Sequence, residues 1–264
     1  MAKTRLDVLL VNRGLFETRA RAQAEIMAGN VLVNENKIDK PGTAINEDVC
    51  IRILGNQIPY VSRGGLKLEK ALQVFPVSVK DKIVADIGAS TGGFSDCALQ
   101  NGAKKIYAVD VGYGQLAWKL RQDERVINLE RTNVRYLTSD VLGELVDVVT
   151  IDVAFISLSL VLPVVFSILK DDGFVIALIK PQFEAGKDKI GKKGVVKDAQ
   201  VHQEVITNVI NFAKEKGFGI AGLDYSPIKG PEGNIEFLLW LNKTNCDCVT
   251  AEKISEVVAK SHNE

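Results

Sequence analysis

The 264-residue sequence is poor in the residues from which metal sites and disulfide frameworks are built. It has four cysteines, Cys50, Cys97, Cys246 and Cys248, with no C-x-x-C spacing, and two histidines, His202 and His262. A structural zinc site needs clustered Cys and His ligands, so no metal is expected. Four thiols without a framework pattern suit a reducing compartment. Net charge is also missing: 33 Lys and Arg balance 33 Asp and Glu, so the overall balance points to no nucleic-acid partner. There is no internal repeat and no low-complexity tract. Nor is there a membrane-spanning run. Residues 153–169, "VAFISLSLVLPVVFSIL", are seventeen residues without a charge, but they hold three serines and a proline. A spanning helix needs roughly 20 predominantly apolar residues, so this stretch reads as a loop and buried helix between two core strands. The start, "MAKTRLDVLLV", carries Lys3, Arg5 and Asp7 around a four-residue apolar stretch, unlike a secretory signal. A cytoplasmic protein without membrane contact is the expectation.

What is present falls into two grammars. In "RLDVLLVNRG" the apolar Leu6, Leu9 and Leu10 and the closing Gly14 predict a short amphipathic helix. "TRARAQAEIMAG" repeats the plan, with Thr18 as N-cap and Gly29 past the end. "NVLVNE" and "DVCIRI" alternate like strands on either side of a "DKPGT" turn. Residues 1–58 thus read as a small α+β module and 59–65, with Pro59 and Gly64–Gly65, as a linker. From residue 80 strands and helices alternate: "KIVADIG", "KIYAVDVG", "RVINLE", "LVDVVTID" and "GFVIALIK" predict five parallel strands covered on both faces. "GFGIAGLDYSPI" and "GNIEFLLWLNK" are separated only by "KGPEG", too short for a crossover, so they are expected to pair antiparallel. The larger domain spans 66–245, and 246–264 reads as a helical tail.

The first parallel strand runs into "DIGASTGGFSD", residues 86–96. Open α/β sheets bind ligands at the carboxyl ends of their strands. Gly88, Gly92 and Gly93 fail G-x-G-x-x-G, and no Gly-Lys-Ser/Thr follows, so this is not a phosphate loop. An acid beside the turn, Asp86, repels phosphate but suits a cationic amine. The second strand ends in Asp110, where a carboxylate can accept from both ribose hydroxyls. An adenosine attached to an amino acid fits this pattern, namely S-adenosylmethionine, held by Asp86, Gly88, Ser90, Thr91, Gly92, Gly93, Phe94 and Asp110. Glu130 and Asn133, after the third strand, are placed near the adenine by position alone. The competing reading is that glycines and aspartates at strand ends are turn formers.

Four polar residues sit on apolar segments. Asp152 ends "VDVVTID", Lys180 ends "FVIALIK", Glu236 begins the last strand, and Lys67 lies in the helix "SRGGLKLEKAL". Singly each has a bland explanation, an edge ion pair or a solvated helix charge. Together they suit methyl transfer to an alcohol. A ribose hydroxyl is a very weak acid and needs a neighbour to draw its proton away. Burial and neighbouring charge tune a lysine for that task, with carboxylates to orient it.

"SRGGLKL", "DIGASTGGF", "DVAFISL", "LIKPQFE" and "NIEFLLWL" resemble the FtsJ-type ribose 2′-O-methyltransferases, whose tetrad runs Lys-Asp-Lys-Glu. The matching positions are Lys67, Asp152, Lys180 and Glu236. "RLDVLLVNRGLFETRARAQAEIMAGNVLVNENKIDKPGTAI" looks like the RNA-binding module shared by a small-subunit ribosomal protein and pseudouridine synthases. The combination is similar to the TlyA branch, whose members have also been called hemolysins. The resemblance implies a Rossmann-like class I methyltransferase sheet, with parallel strands, a terminal antiparallel hairpin and the N-terminal module. It also implies S-adenosylmethionine as cofactor, cytidine ribose in ribosomal RNA as substrate, ribosomal subunits as partners, and the proton-drawing role for Lys180.

The rival enzyme is a base methyltransferase. Amino-group methylation usually shows Asn/Asp-Pro-Pro-aromatic after the fourth strand, where this chain has "DVAF". Carbon methylation needs a nucleophilic cysteine, commonly after proline, and no cysteine here follows one. A non-catalytic RNA-binding or ribosome-assembly factor, and a membrane-active toxin, are the readings from other classes. Phosphate contacts come from clustered Lys and Arg. The candidates are Arg5, Arg19 and Arg21 on the module and Lys187, Lys189, Lys192 and Lys193 in the glycine-lysine stretch beside Lys180. Residues 184–197 carry five lysines against two acids. Such a stretch either orders on RNA or is a solvated loop.

Overall fold

The computed structural model describes residues 3–16, 18–54, 58–191, 193–230, 232–244 and 246–263, with only the backbone of Lys187. The chain divides into two compact units, Met1–Gln57 and Ile58–Glu264.

In the smaller unit, β1 (Lys3–Arg5) leads directly into α1 (Leu6–Asn12). The α2 helix (Arg19–Met27) starts at Thr18, whose hydroxyl accepts the Arg21 N–H at 3.3 Å. Four short strands follow: β2 (Val31–Val33), β3 (Asn36–Lys37), β4 (Ala44–Asn46) and β5 (Ile51–Ile53). β2 pairs antiparallel with β3 and β5, and β1 with β4. Leu6, Leu10, Phe16, Ile26 and Val31 from these elements form its core. β1, β3 and β4 are only two or three residues long, too short for alternation to reveal them.

The larger unit begins with α3 (Gly64–Val74), then β6 (Ile83–Ile87), α4 (Gly93–Gln100), β7 (Lys105–Val109), α5 (Trp118–Arg121) and β8 (Val126–Leu129). After α6 (Ser139–Leu142) come β9 (Val146–Ile151), α7 (Leu162–Ile168), β10 (Leu169–Ile179) and α8 (Pro181–Glu184). The chain continues through α9 (Ala199–Glu215), β11 (Gly219–Tyr225), β12 (Phe237–Asn242) and α10 (Ala251–Asn263). The seven strands lie in the order β11-β12-β10-β9-β6-β7-β8, parallel except for β12, which runs antiparallel to both neighbours. Strand residues such as Val148, Val149, Ile176 and Ala177 are fully buried because helices cover both faces. The α7 helix is the buried helix expected inside 153–169, and no described helix is long and apolar enough to cross a membrane.

The chain builds β6, β7 and β8 outward, then returns to lay β9 on the other side of β6. The switch point, where ligands of open sheets bind, therefore lies between the carboxyl ends of β6 and β9. One correction concerns 59–65, expected as a linker. Tyr60 is 5% exposed and donates its hydroxyl to Glu69, and the Val61 N–H donates to Asp96 on α4 at 2.8 Å. The segment is packed into the larger unit, and its two glycines are the start of α3 rather than hinge residues.

Candidate active site

Two glycine contacts bring the site together. A Cβ on Gly93 would sit 2.8 Å from the Gly65 nitrogen and 3.1 Å from the Gly64 Cα, so α3 and α4 touch backbone to backbone at their N-termini. That contact carries Lys67, one turn into α3, against the loop after β6. Gly88, at φ +83°, lies so close to the end of β9 that a Cβ would meet the Asp152 carbonyl oxygen at 2.6 Å. The Asp152 N–H in turn donates to the Ile87 carbonyl. From the other side, the register pairs Ile179 with Phe237, so Lys180 just after β10 and Glu236 just before β12 are neighbours.

The four polar residues form one continuous network. Lys67 Nζ donates to Glu236 Oε2 at 2.7 Å and to Asp152 Oδ2 at 3.3 Å. Lys180 Nζ pairs with Asp152 Oδ1 at 2.5 Å. That approach is an ion pair lacking hydrogen-bond direction, so the buried Oδ1 has no hydrogen-bond partner. Lys67 is 7% and Glu236 1% exposed, and charges so buried persist only when paired. Burial works against the Lys67 ammonium, but Asp152 and Glu236 outweigh it and its pKa is raised. Lys67 is thus a fixed cation.

A cavity of about 580 Å³ opens over this network, and Lys67, Asp152, Lys180 and Glu236 all line it. Its other wall is Asp86 near the end of β6, Gly88, Ser90 and Thr91 in the loop that follows, and Gly93 and Phe94 at the start of α4. The volume is that of a small-molecule site. The Asp86 carboxylate is already engaged: Ser95 donates its N–H and hydroxyl to Oδ2, and Thr150 its hydroxyl to Oδ1. Burial pushes this carboxyl up to about 6, against those hydrogen bonds. Asp86 therefore ties the start of α4 to β9 as well as bordering the cavity.

Four residues expected at the cofactor lie outside the lining. Gly92 faces Leu116 and Leu120. Asp110 accepts the Ser90 and Gly112 N–H groups, each at 2.7 Å, and both oxygens retain a second lone pair. Glu130 is ion-paired with Arg121, and Asn133 caps the turn at Val134–Tyr136 by accepting the Arg135 N–H.

Sequence reading missed an aromatic pair on the segments that follow Asp152 and Lys180. Phe155 is 91% exposed, holds φ +62°, and its ring centroid lies 5.0 Å from that of Phe183 on α8. Phe155 stands three residues past Asp152 and Phe183 three past Lys180, in stretches read only as an apolar run and as motifs. Glu184 joins the two segments, accepting the Leu158 N–H at 2.8 Å and the Ser157 hydroxyl at 2.7 Å. Burial raises its pKa against those bonds. Ser62 and Arg63 also line the cavity, and Arg63 donates to the Lys229 carbonyl.

Of the basic candidates in the larger unit, Lys189 pairs with Glu204, while Lys193 lines a second cavity with Lys189 and Lys197. Lys192 and the side chain of Lys187 lie outside the described residues. The stretch is tied down by buried Asn234, which accepts the Val196 N–H and donates to the Gly194 carbonyl. In the smaller unit, Arg5 and Arg19 both pair with Asp7, whereas Arg21 makes no ion pair among the described residues.

Residues 60–243 match the FtsJ-like methyltransferase family and residues 4–49 the S4 domain. A provisionally named rRNA methyltransferase of Bacillus subtilis, YqxC, is 60% identical over 91% of this chain and 86% of its own length. The 16S/23S rRNA (cytidine-2′-O)-methyltransferase TlyA of Mycobacterium tuberculosis is 40% identical over 99% of this chain and 98% of that protein. A solved structure from Streptococcus thermophilus, provisionally described as a hemolysin, superposes with a TM-score of 0.79 at 52% identity. It covers all of this chain and 97% of its own.

Proposed function

The chain belongs to the FtsJ-like methyltransferase family, with an S4 domain ahead of the catalytic unit, and from that premise we propose that it methylates the 2′-hydroxyl of a cytidine ribose in ribosomal RNA. The observation that carries the reading is the unbroken Lys180–Asp152–Lys67–Glu236 network opening onto the cavity of the glycine loop. The cavity suits S-adenosylmethionine: glycines admit it to the backbone, Ser90 and Thr91 offer hydroxyls, and the loop has no lysine or arginine to select phosphate. Gly88, Ser90, Thr91, Gly93 and Phe94 would hold it, with the free lone pairs of Asp110 turned to ribose hydroxyls. When bound, the sulfonium supplies an electrophilic methyl group.

The chain's own residues prepare the hydroxyl. Lys67, held as an ammonium between two carboxylates, orients Asp152 and Glu236 and is no base. Lys180 pairs with a single carboxylate oxygen and is the group placed to take the 2′-hydroxyl proton at Nζ. With both lysines protonated the resting network of two cations and two anions is neutral, and Lys180 releases one proton to solvent before its amine accepts that of the hydroxyl. Phe155 and Phe183 offer a stacking face for the target base. Arg5, Arg19 and Arg21 of the S4 domain, with Lys189 and Lys193, are the proposed phosphate contacts. A ribosomal substrate places the protein in the cytoplasm.

The test uses ribosomal subunits lacking 2′-O-methyl groups and methyl-labelled S-adenosylmethionine, with wild type compared against Lys180→Ala. Label on a cytidine ribose oxygen, lost in the variant while cofactor binding survives, is the expected result. Label on a base overturns it in favour of the rival enzyme class. Absence of transfer despite cofactor and subunit binding points instead to an assembly factor.

A further inference from the structure

Asp7 is the least expected residue of the S4 unit. It is 0% exposed, on the first turn of α1, and its carboxylate takes four hydrogen bonds. Arg5 reaches it as a two-toothed fork, Nε to Oδ1 and Nη2 to Oδ2, both at 3.0 Å. Arg19 Nε donates to Oδ2 at 2.8 Å and Gln23 Nε2 to the same oxygen at 2.7 Å. The cations are arranged oppositely to the acid: the Arg5 and Arg19 side chains are 49% and 53% exposed. The Arg5 guanidinium also lies against the Gly42 backbone, where a Cβ would meet Nη1 at 3.1 Å. The arginine hydrogen bonds hold the Asp7 carboxyl far below the ordinary range.

Stability alone gives little reason for this arrangement. A buried carboxylate is costly to desolvate, and a well-packed apolar residue usually serves a core as well or better. An apolar residue cannot fix two guanidiniums in direction. Each arginine spends only one edge on Asp7, and neither side chain makes another hydrogen bond to the described residues. Both side chains are about half exposed with N–H donors to spare, and a planar guanidinium fork matches a phosphate better than an ammonium does. Both residues are thereby held in place before any partner arrives, which reduces the ordering cost of binding.

We propose that Asp7 is a positioning residue that presents Arg5 and Arg19 as a preset two-guanidinium clamp for the phosphate backbone of the RNA substrate. The contact is independent of sequence, since phosphates position a nucleic acid without specifying it. The clamp rests on the RNA-methyltransferase reading for its partner, and the experiment separates the two.

Binding of the full-length protein to unmethylated ribosomal subunits is measured over a range of KCl concentrations, alongside methyl transfer. The R5K/R19K double variant keeps the charge but loses the fork. It is expected to bind roughly tenfold more weakly, as for misplaced charge-assisted contacts, with the loss in KM for subunits rather than in kcat. Asp7→Asn adds one positive charge, so simple electrostatics expects tighter binding to RNA, whereas lost positioning expects weaker binding. R5K/R19K binding like wild type, or Asp7→Asn binding more tightly, overturns the clamp. If Asp7→Asn melts the S4 unit by circular dichroism, the lysine pair decides alone. Wild-type protein that binds subunits but transfers no methyl sinks the enzymatic reading and leaves the clamp to be judged on binding. Wild-type protein that does not bind sinks both.

Discussion

Replacing Glu236 by leucine strands the Lys67 ammonium, and replacing Lys67 by methionine strands the Glu236 carboxylate. The two side chains are 1% and 9% exposed and 2.7 Å apart, so neither survivor can turn to solvent. Asp152 offers Lys67 only the longer 3.3 Å contact, and Lys180 is already bound to Asp152. Breaking one partner of such a buried pair costs about 3–5 kcal/mol, whereas exchanging both for apolar residues of similar volume is near neutral. The double variant Lys67→Met/Glu236→Leu should therefore recover most of what either single variant loses, a coupling of about 5 kcal/mol or more, above the ordinary range for contacting residues because each single variant strands a buried charge. Urea unfolding followed by tryptophan fluorescence reads this directly, because Trp118 and Trp240 both belong to the larger unit. With m about 3 kcal/mol/M for a unit of this size, each single variant should lower the midpoint by about 1–1.5 M and the double by less than about 0.5 M. All three should lose methyl transfer. Additive costs would refute the claim that the network is one electrostatic unit, and transfer by the stable double variant would refute its chemical role.

Gly88→Ala must fit a Cβ 2.6 Å from the Asp152 carbonyl at φ +83°. It should cost about 2 kcal/mol or more, read as a lower melting temperature. Phe155→Gly removes an aromatic side chain from a φ of +62°, which relieves about 1–2 kcal/mol of strain. It should melt no lower than wild type yet raise KM for subunits roughly tenfold, the worth of one stacked base. Burial, with His262 adding to it, lowers the His202 pKa from 6.5 to about 4. The unfolded chain then holds that proton through a window where the folded chain does not, so stability rises with pH between those values. Asp86, raised from 3.8 to about 6, binds its proton more tightly when folded, so its contribution falls as pH rises through its window. The two slopes, each about 1.4 kcal/mol per pH unit at most, oppose one another. His202→Gln should tilt the curve towards acid stability and Asp86→Asn towards neutral stability, and urea midpoints across the window that move in parallel would contradict the pairing.

The α/β sheet was legible because its strands are apolar and β-branched runs closed by charged residues at one end. Asp152 and Lys180 stood out as charges ending apolar strands, and β12 gave away Glu236 by the shortness of the connection before it. Lys67 stood out only as a member of the set, because a lysine on a helix is ordinarily solvated, and its segment is packed against α4 by a glycine contact. That contact is why Gly64 and Gly65 read as linker residues: sequence shows that a glycine lacks a side chain, not what occupies the space. Phe155 was overlooked because an aromatic four residues past a core strand, inside an uncharged apolar run, reads as core, whereas it is exposed and holds a left-handed backbone. Glu130 and Asn133 were placed by distance along the chain, and local partners, Arg121 and the Arg135 N–H, hold them instead.

The insertion of β12 between β10 and β11 has a temporal side. Lys67 and Glu236 are 169 residues apart in sequence, and the strand that brings them together is the last of the sheet. A nascent chain can form β6 and β9 and the glycine loop between them while Lys67 still lacks its principal counter-ion. Contacts of such long separation form late and slowly, so the cavity of the glycine loop is outlined well before the four-residue ion-pair network is complete. A ribosome making this protein therefore carries a chain with the outline of a methyltransferase but without its chemistry until Glu236 has emerged and β12 has found its slot.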